Sequence, residues 1–129
     1  MARSRKPAEP TGTAPLAHLR GLGFALALTA FFLIGISFFV SVTGLTEVAA
    51  RWIMAVGGIV AVLAGGYQTG KSMGRAGWLN GGITGLAYAV ALLILALLLD
   101  MRLSAGSLIT LAAGFTFGAA GGVLGVNRR

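Results

Sequence analysis

The sequence has no cysteine, one histidine and three acidic residues among 129 positions. Without cysteine there is neither a disulfide nor a thiolate metal site, and cysteine usage carries no information about redox compartment. His18 stands alone near the N-terminus, and Glu9, Glu47 and Asp100 are scattered between tail and loops, so no motif gathers a general acid, a base and a nucleophile. The expectation is a protein that is not an enzyme, with no catalytic, metal-binding or cofactor-binding residue and no cofactor. Charge of either sign is scarce: 10% of residues, where a soluble domain carries about a quarter.

What fills the chain instead is apolar. Four windows hold no charged residue at all: Gly21 to Thr46, Trp52 to Gly70, Ala76 to Leu99 and Leu103 to Asn127. A helix needs about 20 mainly apolar residues to cross a hydrocarbon core about 30 Å thick, and all four windows qualify. Buried helices of a soluble bundle keep a polar face, which these windows do not offer. Runs such as Ala91 to Leu99 lack the alternation of a transmembrane β-barrel. The predicted fold class is all-α, an integral membrane four-helix bundle with spans at about 22–43, 52–70, 78–99 and 105–126. Together these form a domain from 20 to 129. Residues 1–19, with Pro7, Pro10, Pro15 and basic side chains, read as a disordered tail in which His18 is solvated. A signal peptide ending near Val48-Ala49-Ala50 is the competing reading, but its apolar stretch is too long.

The net charge of +7 suggests nucleic acid only at first sight, because the cations sit at the ends of spans and not along one face. Arg3, Arg5, Lys6, Arg20, Lys71, Arg75, Arg128 and Arg129 fall on one side of the bundle, against Arg51 and Arg102 on the other. That asymmetry predicts both termini in the cytoplasm, with Arg20, Lys71, Arg75, Arg128 and Arg129 as topology anchors. Trp52 and Trp78 fall at expected interfaces. The lipid bilayer is the expected partner, together with a second copy of the chain or another membrane protein, and no nucleic acid.

Glycine is abundant, 21 residues, and 19 of them lie inside the charge-free windows. They step by four: Gly66, Gly70 and Gly74; Gly77, Gly81 and Gly85, continued by Ala89; Gly114, Gly118 and Gly122; and Gly121 with Gly125. A step of four keeps residues on one helix stripe, where absent side chains let backbones approach. These ladders are the expected helix-packing surfaces, and they lie toward the cytoplasmic ends. Spans two and four share a pattern around 64–70 and 112–118 that hints at a duplicated hairpin, although spans one and three align at a different offset.

Gly65 to Ser72 satisfies the phosphate-loop pattern letter for letter, but it closes an apolar helix whose N–H groups are used by the backbone, with no strand before it. The charge-free windows contain no ionisable side chain except Tyr67 and Tyr88, which argues against proton-coupled transport. Among their polar groups are Gln68, Thr69, Asn80, Thr84, Thr110, Thr116 and Asn127; a hydrogen bond between Asn80 and Gln68 is expected across the second hairpin. Of these, Gln68, Asn80, Thr84 and Asn127 are the main intramembrane polar candidates, as structural bonds or as a polar mouth.

The segment Gly74-Arg75-Ala76-Gly77-Trp78-Leu79-Asn80-Gly81-Gly82-Ile83-Thr84-Gly85-Leu86, with the ending from Gly118 to Asn127, resembles the YrzE-like family. The resemblance covers roughly residues 20 to 127 and implies a short four-span protein of the inner membrane of a Gram-positive bacterium. It implies no activity, cofactor or catalytic residue. The functional expectation is a non-enzymatic subunit or accessory of a membrane assembly. The alternative is a small oligomeric channel or transporter: multidrug exporters of this size need an embedded glutamate, which is missing, but Asn80, Phe115, Thr116 and Phe117 offer groups like those of fluoride-type channels.

Overall fold

The computed structural model describes residues 13–128, with side chains from 15 onward. Arg3, Arg5, Lys6, Glu9 and Arg129 lie outside the described residues. Four helices follow one another: α1 (Thr13–Thr43), α2 (Glu47–Met73), α3 (Gly77–Leu98) and α4 (Ala105–Asn127). Each is long and apolar enough to cross a membrane. At 1.5 Å per residue they measure about 46, 40, 33 and 35 Å.

α1 starts earlier than expected. The tail assigned to residues 1–19 gives way to helix at Thr13, because Pro15 falls in the first turn, where an N–H has no intrahelical acceptor. The ends of the helices are set locally. Gly44 (φ 62) and Gly74 (φ 65) take left-handed conformations that stop α1 and α2, and the Gly74 N–H donates to Gly70 O. Gly74 is thus a cap and not the third rung of a packing ladder. α3 closes with Asp100 (φ 58): Asp100 N–H donates to Leu97 O and Met101 N–H to Ala96 O, the paired bonds of a Schellman motif. Ser104 and Ser107 form a capping box at the start of α4.

Large apolar side chains point outward. Phe31, Ile34 and Leu98 are 71%, 73% and 78% exposed, while the buried apolar residues are Ala17, Ala25, Ala61, Ala89, Val62 and Tyr88. A water-soluble core has the reverse order; this one suits hydrocarbon outside and small residues inside. The chain is a small multi-pass membrane protein.

α2 and α3 are the central pair, with α1 on one side and α4 on the other; α1 and α4 do not touch among the described residues. That asymmetry gives no support to a duplicated hairpin, in which α1 would meet α4 as α3 meets α2. α4 runs antiparallel to α3, with Gly114 beside Gly85, Gly118 beside Gly81 and Gly122 beside Gly77. It runs parallel to α2, with Gly118 beside Gly66 and Gly122 beside Gly70. A Cβ on Gly114 would stand 2.7 Å from Gly85 O and 2.8 Å from Ala89 Cβ, so the backbones themselves touch. These approaches cluster toward the α2–α3 turn. Farther from it the three helices part around an apolar crevice of about 280 Å³, lined by Gly58, Val62, Tyr88, Leu92, Ile109 and Phe117 among others.

Candidate functional site

Two side chains with polar atoms are fully buried, Thr69 and Thr84, and they meet between α1, α2 and α3. Thr69 lies on α2 above Gly65 and Ala61, four and eight positions back; Thr84 lies on α3 between Asn80 and Tyr88. The α1 stripe facing them is Ala17, Gly21, Ala25 and Thr29, again in steps of four. Gly21 makes the crossing possible: a methyl there would fall on the Thr69 hydroxyl and 2.7 Å from Gly65 O.

His18 completes the cluster. Its Nδ1 lies 2.9 Å from Thr84 Oγ1, which in turn lies 2.9 Å from Thr69 Oγ1; the Thr69 hydroxyl donates to Gly65 O at 3.1 Å. The two hydroxyls own two protons between them, and the chain contains three contacts. All three are hydrogen bonds at once when the third proton is on His18 Nδ1, so that the imidazole donates to Thr84, Thr84 to Thr69 and Thr69 to the carbonyl. A ring that carries a proton on Nδ1 fits this pattern. Ala17 O at 3.5 Å from Thr69 and Asn80 O at 3.1 Å from Thr84 are further acceptors. Eleven positions along α1, Thr29 and Tyr88 share a second bond of 2.7 Å between their hydroxyls. Among the described residues no buried side-chain nitrogen or oxygen lacks a partner.

Two expectations are corrected here. His18 is not a solvated tail residue; it sits in the first turns of a helix that passes Thr84. Asn80 does not bond Gln68 either: its Nδ2 donates to Arg75 O at 2.9 Å, bracing the α2–α3 turn, while the Gln68 side chain is exposed. The register explains this, since Thr69 takes the place facing α3 and leaves Gln68 turned about 100° away. Thr84 is in the cluster, and Asn127 is exposed on the last turn of α4.

The other polar and motif residues do not converge. Residues 65–72, the phosphate-loop match, are continuous helix within α2. Thr116 is exposed and donates to Ala112 O; the Phe115 ring covers Gly82; Phe117 packs toward Val62 and Tyr88. With Asn80 at the turn, these four residues face separate surroundings and outline no shared path. Arg20, Lys71, Arg75 and Arg128 are all exposed at the end of the bundle that carries the α2–α3 turn.

Among families, the one described as "Protein of unknown function (DUF3792)" matches residues 15–125. No curated protein and no solved structure matches the chain.

Proposed function

The chain belongs to the DUF3792 family, and from that premise we propose that it is a non-enzymatic subunit or accessory of a larger membrane assembly. One observation carries the reading. The turns between helices are 44–46, 74–76 and 99–104, too short to form a domain, so a partner of the described region is met within the plane of the membrane. The outward faces offer the surface for it, and the buried hydroxyls are spent on one another. In this proposal close glycine contacts, not hydrophobic drive, hold the bundle, because lipid tails are as apolar as leucine. The cation asymmetry supports termini on the cytoplasmic side, and the sequence resemblance supports a bacterial cell membrane.

The test is a tagged copy extracted from its native membrane in mild detergent, crosslinked beforehand. The reading requires migration as an oligomer or with a reproducible membrane-protein partner. A strictly monomeric species with no crosslinked neighbour would overturn it.

A further inference from the structure

The end of the bundle with the α2–α3 turn gathers cations from more than one helix. α4 reaches this turn by two close contacts, one to backbone and one through a side chain. A Cβ on Gly125 would stand 2.8 Å from the Lys71 backbone nitrogen, and one on Gly77 would stand 2.7 Å from Val126 Cγ2. Arg128 follows Gly125 by three residues, about one turn. Arg75 precedes Gly77 by two. Lys71, Arg75 and Arg128 therefore stand at three helix ends on the same end of the bundle, and all three side chains are exposed. None has a carboxylate partner among the described residues, where the single ion pair is Arg51–Glu47. Glu47 and Asp100 stand at the opposite end. Arg20, on α1, is separate from Arg128, since the backbones of α1 and α4 do not approach each other.

Beside these cations lies an apolar, outward surface. Trp78 is 56% exposed one turn from Arg75, and Val123 and Leu124 are about half exposed one turn before Arg128. Cations at the level of the interface and apolar groups just inside it match the two halves of a phospholipid. We propose that Lys71, Arg75 and Arg128 form a binding site for the phosphodiester headgroup of an anionic phospholipid, whose acyl chains lie against α3 and α4. The unpaired positive charge selects the headgroup, since zwitterionic lipids bring their own cation. The long stems of the three side chains let them reach the phosphate while their methylenes stay on the bundle.

The experiment uses purified full-length protein in non-ionic detergent carrying Trp52→Phe, so that Trp78 alone fluoresces. Brominated phosphatidylglycerol and brominated phosphatidylcholine are titrated separately as quenchers. Phosphatidylglycerol is expected to quench at a lower mole fraction, and each neutralised cation is expected to reduce the preference roughly fivefold. K71Q/R75Q/R128Q should bring the two lipids together, while R51Q/R102Q, at the far end, should keep the difference. Circular dichroism of each variant confirms that its helices are intact. Equal quenching by both lipids, or a preference that survives K71Q/R75Q/R128Q, would overturn the proposal. So would loss of the preference to millimolar inorganic phosphate, which would assign the cluster to a free anion.

Discussion

Thr84 and His18 are 66 positions apart, and the hydroxyl of one lies 2.9 Å from the ring nitrogen of the other. This contact and the Thr29–Tyr88 bond tie α1 to α3, whereas α4 is held by backbone against backbone. The bundle thus has two kinds of seam. The first can be removed an atom at a time; the second cannot be cut without moving a helix.

The first seam predicts a measurable coupling. Thr84→Val keeps the shape of the side chain and removes its hydroxyl, and His18→Ala removes the other partner. Hydrogen bonds in membrane bundles average about 0.6 kcal/mol, so the double-mutant cycle should give a coupling near that size. Reversible unfolding by sodium dodecyl sulfate would report it. Strict additivity would mean the two groups are neighbours without a bond.

The second seam predicts a larger effect from one methyl group. In Gly118→Ala the new carbon would fall on Gly81 O and 2.8 Å from Gly85 Cα, both backbone atoms that yield only if α3 and α4 separate. A loss of about 1–3 kcal/mol is expected. Gly23→Ala and Gly35→Ala put a methyl where nothing lies within 4 Å. Both positions are inside α1, so a gain of about 0.5–1 kcal/mol is expected there. A common response at all three sites would show that glycine is needed for something other than close approach.

The helices were legible because charge marks the limits of an apolar helix in a membrane. Glu47, Lys71, Asp100 and Arg102 bracket the described elements to within a few residues. The hydroxyl cluster was harder to read, although its signal exists. Ala17-Gly21-Ala25-Thr29, Ala61-Gly65-Thr69 and Asn80-Thr84-Tyr88 are stripes of four-residue step that carry hydroxyls. Glycine spacing drew attention to α2, α3 and α4 and passed over Gly21 and Gly65. His18 was obscured by Pro15, which reads as a helix breaker until its place in the first turn is known. Which helices adjoin is a tertiary fact; no spacing along the chain states that α1 and α4 stand on opposite sides of the central pair.

Ala76 offers a stabilising change. It caps the N-terminus of α3 with φ 44 and ψ 48, a left-handed conformation in a residue that carries a Cβ, and its side chain is exposed. That conformation costs a non-glycine residue roughly 1–2 kcal/mol. Ala76→Gly should recover about 1 kcal/mol after the extra freedom of glycine in the unfolded chain is counted. Ala76→Val should move the unfolding midpoint the other way, since a β-branched side chain is less tolerant of positive φ. If glycine lowered the midpoint, the turn would have to relax out of this conformation in the membrane.

The orientation of the bundle can be checked with the cysteine-free background as an advantage. Positions 47 and 72 are 25 residues apart on α2, about 38 Å along the axis, which exceeds a hydrocarbon core of about 30 Å. Both side chains are exposed and stand at opposite ends. With cytoplasmic termini, Glu47→Cys should react with a membrane-impermeant maleimide on intact cells, and Ser72→Cys only after the membrane is opened. The opposite pattern would place the cation-rich edge outside, against the force that retains positive loops within. Identical labelling of the two would mean that α2 does not cross, and the outward-facing phenylalanines and leucines would then need a different solvent to explain them.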